Sequence, residues 1–246
     1  MRKVRLPELG PRANGAIALA IVVVCVAVGT LMRASLTDYN AHPEEVESLP
    51  YAVRPAWDQA LSLDASADAF ASADVVVVAT CHGNGTYVYQ AFLRELEVKQ
   101  VWRGKGIEVG QTIWTYDDLA IIEPQNFTGK GQFSSERVAT AMGMGPCSNG
   151  ATPLRNGETY LLFLQTKDVA SGDEPRYVQV GSPYAHVRLT AEGEEPQVGV
   201  WPLKESGEPT YVPFSTMRGL DFTCYSEQDA ELYRQTCQEV LSSVAL

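Results

Sequence analysis

Three histidines, His42, His82 and His186, are the candidates for a catalytic base in this sequence. A hydrolase would place such a base beside a serine or cysteine nucleophile. The sequence contains neither a Gly-x-Ser-x-Gly motif nor a His-Glu-x-x-His motif. Cys81 and His82 are adjacent, but neighbouring side chains of an extended strand point to opposite faces, so they cannot act on each other. We therefore predict no catalytic residues, no cofactor and no enzymatic activity.

Two acidic clusters have side chains that calcium sites use, Asp117-Asp118 and Glu192-Gly-Glu-Glu. Calcium sites draw several oxygens from a short loop, usually with spaced Asp and Asn residues, and neither cluster has that spacing. We predict solvated acidic turns, with calcium binding as the alternative. No Cys-x-x-Cys pair is present, so the cysteines do not predict a zinc site.

Four cysteines follow the apolar N-terminal segment: Cys81, Cys147, Cys224 and Cys237. An even set of four permits three disulfide connectivities. We favour Cys81 with Cys147, which would tie a long loop to the first strand, and Cys224 with Cys237, which would tie a C-terminal helix to its entry segment. The other two connectivities stay open.

The N-terminal sequence predicts how the rest of the chain is attached to the membrane. Residues 1–14 are basic and precede an uncharged apolar segment at residues 15–32. A helix of that length covers roughly 27 Å, about the thickness of the hydrocarbon core. The basic flank is expected in the cytoplasm, which places the following bulk of the chain outside it. We predict an uncleaved single-pass anchor in the cell membrane. A cleaved signal peptide and a secreted domain are the alternative, because Ala27 and Gly29 make an acceptable cleavage site.

The net charge of the chain limits the classes of partner that it can bind. The chain carries −11. Residues 1–14 contain four basic residues and one acidic residue, so the rest carries −14. Such a domain is repelled by nucleic acid, and we predict no nucleic-acid partner.

The remaining pattern predicts a mainly β fold with some α-helix. Residues 33–55 are polar, acidic and proline-containing and are predicted to be a tether, and residues 56–246 a single extracytoplasmic domain. A hairpin is predicted between Ala73 and Trp102 with its turn at Gly83-Asn84-Gly85. Further strands are predicted at residues 111–116, 159–165, 177–180, 185–189, 197–201 and 211–213. A helix beginning after Ser226 is expected to pack on the sheet.

The irregular stretch at residues 117–157 is long for a connection inside a compact domain, which points to function or disorder. We predict a contact surface formed by this loop, especially Met142 and Met144, together with the rim aromatics Trp114 and Tyr116. The alternative is that these residues are loop filler and strand core.

The order of several motifs resembles the netrin-like module of the tissue inhibitors of metalloproteinases. The motifs are Ala-Phe-Ala-Ser-Ala-Asp-Val-Val-Val-Val at 69–78, Glu-Val-Lys-Gln-Val-Trp-Arg-Gly at 97–104, Leu-Arg-Asn-Gly-Glu-Thr-Tyr-Leu-Leu at 154–162 after Cys147, and Phe-Thr-Cys at 222–224 before a helix. The resemblance implies a closed five-stranded barrel of the oligonucleotide/oligosaccharide-binding type (OB-type), with extra short strands. It also implies that Cys147 pairs with the N-terminal region, where Cys81 is the nearest partner.

The inhibitory mechanism of that family is not expected here. Those inhibitors chelate the protease zinc through a free N-terminal cysteine, whereas the comparable segment here reads Ala67-Asp-Ala-Phe and continues upstream. We predict a non-catalytic, membrane-tethered extracytoplasmic binding module for a protein or surface ligand. The alternatives are an inhibitor of an extracellular hydrolase that presents residues 117–157, and a secreted enzyme.

Overall fold

A computed structural model describes residues 11–34, 38–53, 63–88, 91–122, 137–141, 150–167, 175–191, 194–202 and 210–243. The chain divides into two compact units, Met1–His42 and Pro43–Leu246. In the first unit, helix α1 spans Pro11–Ala34. Within the ranges just given, none of the helices is both long and apolar enough to cross a bilayer. The membrane anchor at residues 15–32 stays a prediction.

The second unit is mainly β. Its strands are β1 (Pro50–Val53), β2 (Val75–Val88), β3 (Ala91–Arg103), β4 (Thr112–Ile122), β5 (Val138–Ala141), β6 (Thr159–Lys167), β7 (Arg176–Gln179), β8 (His186–Arg188), β9 (Val198–Val200), β10 (Thr210–Pro213) and β11 (Phe222–Cys224). Its helices are α2 (Pro43–Ser48), α3 (Leu63–Ser72), α4 (Phe214–Met217) and α5 (Glu227–Ser243). The predicted mainly β fold with a C-terminal helix is confirmed.

Five strands of the main sheet pair in a path that returns to its first strand. β2 pairs with β3, β3 with β4, β4 with β7, β7 with β6, and β6 with β2. Only the β4–β7 pairing of this path is parallel. Parallel neighbours need a long crossover, and here the chain passes through β5 and β6 between them.

The valine run at the start of β2 explains how this path is packed on both sides. Alternate residues of a strand face opposite ways. Val75 and Val77 join an inner cluster that also contains Leu96, Val98, Ile113 and Leu162. Val76 and Val78 join an outer cluster with Leu161 and Phe163, against which Val240 and Leu241 of α5 pack. The predicted strand at residues 159–165 is present and buried on both faces, and the prediction that the C-terminal helix packs on the sheet is confirmed.

The predicted hairpin is present, but its turn lies elsewhere. Val88 pairs with Ala91, so the arms meet there and not at the glycines. Residues 83–85 are part of β2 and lie in a bulge, because His82 pairs with Glu95 and Thr86 pairs with Leu93. Gly83 and Gly85 have φ values of 67° and 79°, which suit a bulge as well as a turn. The sequence alone does not distinguish the two.

The predicted tether is partly folded. Within the second unit β1 pairs with β10 on one side and with β5 on the other, and β5 pairs with the second half of β4. Tyr51, Ala52 and Val53 are each at most 2% exposed. Residues 43–53 therefore belong to the domain, since a short apolar strand that finds two partners is buried despite its acidic surroundings. We call β5, β1 and β10 the extension.

The remaining predicted elements fall close to their expected positions. The short strands β7, β8, β9 and β10 overlap the four predicted segments, and β9 pairs in parallel with β11. Ser226 caps α5 as predicted. Its hydroxyl accepts a bond from the Asp229 amide at 3.1 Å and donates to the Asp229 carboxylate at 2.6 Å.

Candidate functional site

Strand β4 carries two of the predicted contact residues, Trp114 and Tyr116. Ile113 belongs to the inner cluster and Thr115 is fully buried. Strand alternation therefore places Trp114 and Tyr116 together on the opposite, outer side. Both are half-buried, so each retains ring surface that a partner could cover.

Charged side chains flank this aromatic pair. Arg176 pairs in register with Trp114, and its Nη1 donates to the Tyr116 hydroxyl at 3.2 Å. The Lys167 Nζ lies 4.9 Å from the centre of the Tyr116 ring, a cation–π contact. Glu95 pairs in register with Trp114 on the other edge of β4. We call these five residues the aromatic face.

Part of the predicted contact loop, residues 117–157, is β-strand, and part of it lies outside the described residues. Residues 117–122 complete β4, and β5 comes from residues 138–141, so both pieces are sheet and not loop. Met142 and Met144 lie outside the described residues, as do residues 123–136. Of the four predicted contact residues, the structure therefore places Trp114 and Tyr116 only.

Asp117 is not in a solvated turn, and that prediction is wrong. It is 4% exposed inside β4, which continues beyond it through four apolar residues that pair with β5. The Arg94 Nε donates to Asp117 Oδ2 at 2.8 Å, and the Leu154 amide donates to the same oxygen at 3.2 Å. The Arg94 side chain is only 7% exposed. The two residues form a buried ion pair that sequence reasoning missed.

The bulge in β2 makes room for this ion pair. A Cβ on Gly85 would lie 2.9 Å from Arg94 Cδ and 3.2 Å from the Leu93 carbonyl oxygen. Only glycine tolerates both that contact and the positive φ of 79° without strain. The Gly83-Asn84-Gly85 segment thus positions Arg94.

Asp118 differs chemically from Asp117. It is 8% exposed, and its Oδ2 has no hydrogen-bond partner within the described part of the chain. Burial is the main cause that raises the pKa of Asp118 to about 7, and the neighbouring Asp117 charge adds to it. The expected solvated turn is wrong here too. One sequence signal was available, since Leu119-Ala-Ile-Ile directly after the acids indicates that the strand continues.

A second ionic cluster surrounds Asp221, which is 6% exposed. Arg188 donates to both of its carboxylate oxygens, from Nε at 2.7 Å and from Nη2 at 3.1 Å. Arg155 Nη2 donates to Oδ1, and the Gln197 amide donates to Oδ2 at 2.8 Å. Arg188 stays charged although it is partly buried, because its hydrogen bond to Asp221 raises the pKa of the guanidinium. Glu194, from the second predicted acidic turn, also pairs with Arg188 at 2.9 Å.

The cysteines that the structure describes are free thiols. Cys81 is fully buried, and burial raises its pKa to about 11, which disfavours the reactive thiolate. Cys147 lies outside the described residues, so the Cys81–Cys147 disulfide stays a prediction. Cys224 and Cys237 are also free in the structure but lie in one hydrophobic cluster with Phe222 and Tyr233.

The disulfide between Cys224 and Cys237 stays a prediction. Burial raises the pKa of Cys224 to about 11 and that of Cys237 to about 12, so thiolate is scarce once the domain is folded. Oxidation is therefore expected before folding is complete. Non-reducing peptide mapping of protein alkylated during lysis should find the two peptides linked. Recovery of both peptides in alkylated form would contradict the disulfide.

The histidines differ in burial and in their partners. His82 is exposed and lies 3.1 Å from Glu97, on the face opposite Cys81. His186 is 5% exposed, and its Nδ1 is hydrogen-bonded to Gln179 at 2.6 Å. Burial lowers the pKa of His186, so the ring is neutral in this environment. His42 lies in the first unit, and among the described residues no group of three His, Cys, Asp or Glu side chains could hold a metal ion.

The aromatic face brings two half-buried rings together with three charged side chains. No protein-family model, curated protein or solved structure matches the chain. Its geometry can bind, by stacking on Trp114 and by polar contacts to Arg176 and Glu95. It holds no activated nucleophile, since Cys81 and Asp117 are buried on the inner side.

Proposed function

We propose that the chain is a non-catalytic, membrane-tethered extracytoplasmic binding module built on a netrin-like barrel of the OB type. The strand path β2–β3–β4–β7–β6 and back to β2 supports this fold, because five strands that pair in a closed path with one parallel contact suit a small barrel. Filling of the interior by apolar side chains also supports it, since a barrel of this size holds side chains and no channel.

The observation that carries the binding proposal is the aromatic face. Aromatic and arginine side chains are enriched where proteins bind their partners, since they bury much area with few rotatable bonds. Trp114 and Tyr116 are two residues apart on an outer strand face, and Arg176 and Lys167 hold the Tyr116 side chain in place. Such a surface is already ordered before a ligand arrives, which lowers the entropy cost of binding.

A binding role also accounts for the chemistry of the interior. The thiol of Cys81 is protonated at neutral pH, and the Asp117 carboxylate is occupied by Arg94 and the Leu154 amide. His186 is neutral and hydrogen-bonded to Gln179. Each of these groups serves the packing of the domain and none is presented to a substrate.

The proposal is tested by site-specific photo-crosslinking on intact source cells. A photoreactive amino acid at position 114 should crosslink to one species, and the same label at Trp102, which is 41% exposed on β3, should not. Added wild-type domain should reduce the product at least tenfold, while a folded Trp114→Ala/Tyr116→Ala domain should not. Equal labelling from position 102, or equal competition by the double variant, would overturn the proposal.

A further inference from the structure

A row of charged and aromatic side chains crosses the sheet at the aromatic face. Glu95 of β3 pairs in register with Trp114 of β4, and Trp114 pairs on its other edge with Arg176 of β7. Arg176 pairs in turn with Lys167 of β6. Residues that are directly opposite each other on neighbouring strands project from the same side of the sheet. The row therefore runs in the order acidic, aromatic, basic, basic.

The neighbouring row on the same side is apolar. Tyr116 lies two residues after Trp114 on β4, and residues at this spacing share a face. Tyr116 pairs in register with Leu93 of β3 and with Val178 of β7. Leu93 is 7% exposed and Val178 is 8% exposed. The charged row is thus bordered by an apolar row that is centred on the Tyr116 ring.

The order of charges makes this surface complementary to itself. Adjacent strands lie about 4.8 Å apart, so the strand positions of Glu95 and Arg176 are about 10 Å apart with Trp114 between them. When a second copy faces the first about a two-fold axis parallel to β4, the two Trp114 rings meet. Glu95 of each copy then lies opposite Arg176 of the other.

The alternative orientation is disfavoured by charge. A two-fold axis across the strands would place Glu95 against Glu95 and Arg176 against Arg176, and like charges that meet at an interface weaken it. It would also remove the apolar row of Tyr116 from its own counterpart. The pattern therefore selects the axis parallel to β4.

The charge of the chain limits where two copies can meet. Residues 15–246 carry −14, so two copies repel each other on average. The aromatic face departs from this average, because Arg176 and Lys167 outweigh Glu95 and leave a local charge of +1. Contact at this face therefore meets less repulsion than contact at an average part of the surface.

We propose that the partner of the aromatic face is a second copy of this chain, held in a two-fold symmetric dimer by Trp114 stacking and by two contacts between Glu95 and Arg176. Dimers of this symmetry use the same patch on both copies and are the commonest protein assemblies. The inference rests on the binding role proposed above and names the partner for it. The predicted membrane anchor would keep the copies at a high effective concentration, which favours a small interface.

Co-expression of two full-length copies with different epitope tags in the source cells tests the dimer. A photoreactive aromatic amino acid at position 114 of one copy should crosslink to the other copy and give a product that carries both tags. Glu95→Arg in both copies places like charges opposite each other, and so does Arg176→Glu in both copies. Each change should lower the doubly tagged product about tenfold.

The decisive measurement combines the two variants. When one copy carries Glu95→Arg and the other carries Arg176→Glu, opposite charges again face each other in both contacts. The doubly tagged product should therefore return to nearly the wild-type amount, which a loss of folding in either variant would prevent. The charge-matched control is Glu108→Arg, at an exposed position between β3 and β4, and it should leave the product unchanged.

The possible failures separate this inference from the binding role. If either variant alone gives as much doubly tagged product as wild type, or the mixed pair does not recover, Glu95 and Arg176 do not meet across two copies and the dimer is wrong. A product from position 114 that contains only a different species would overturn the second copy as partner and retain the binding role. Absence of any product from position 114 would overturn both.

Discussion

Asp117→Asn is expected to lower the free energy of unfolding by about 3 to 5 kcal/mol, the usual result of removing one partner from a buried ion pair. The substitution leaves the Arg94 guanidinium charged with only 7% of its side chain exposed. It also weakens the acceptor for the amide of Leu154, a residue that is only 2% exposed. Urea denaturation followed by circular dichroism at pH 7.5 measures the loss.

The neighbouring residue supplies the control. Asp118→Asn makes the same chemical change one residue later, but it removes a buried carboxylate that has an unpartnered oxygen. We expect this variant to be more stable than wild type at pH 7.5. A loss below about 1 kcal/mol for Asp117→Asn, or losses of similar size for both variants, would contradict our reading of the ion pair.

Replacing both members of the pair provides a further check. Arg94→Met with Asp117→Leu removes the two charges together and should recover most of the stability lost in Asp117→Asn, since apolar replacements of buried ion pairs are often neutral. Failure of the double variant to recover would show that shape, and not charge, dominates at this place.

The second large effect is expected at Asp221→Asn, with a loss of about 2 to 4 kcal/mol. This carboxylate accepts bonds from Arg155, Arg188 and the Gln197 amide. The range is lower than for Asp117 because the Arg155 side chain is 21% exposed, so water screens it in part.

The position of Asp221 predicts that this loss of stability is local, which distinguishes it from a loss of stability throughout the domain. Asp221 connects the approach to β11 with Arg188 of β8 and with the residue before β9. Hydrogen exchange in β9 and β11 should therefore rise more than exchange in β2. The control is Glu194→Gln, because Glu194 also pairs with Arg188 but its side chain is 43% exposed, and its denaturation midpoint should stay unchanged. Uniform acceleration across all strands would contradict the assignment.

Much of the architecture follows from local patterns. Runs such as Val75–Val78 and residues 159–165 predict buried strands, the first because it is β-branched and the second because it is a short, continuously apolar run that follows a glycine turn. Ser226 with Asp229 predicts where α5 begins because the cap is formed by residues only three apart. In these places neighbouring residues decide the structure.

The buried acids could not be predicted in the same way. Whether Asp117-Asp118 ends a strand or lies inside one depends on β7 and β5, which are distant in sequence. The bulge at Gly83 to Gly85 poses the same problem, because glycines with positive φ serve turns and bulges alike. Of the aromatic face, Trp114 and Tyr116 were predicted, whereas Arg176, Lys167 and Glu95 are recruited through strand register.

The pairing of β1 with β10 has a consequence for how the protein is made. The paired residues are about 160 positions apart, from Pro50 with Pro213 to Val53 with Thr210. At typical elongation rates the ribosome needs about 8 to 30 seconds to add that length. During this interval Tyr51, Ala52 and Val53 have no β10 to pair with, although they are destined for burial. β1 is thus synthesised long before its partner β10, and its apolar edge stays unpaired while the residues between them are added.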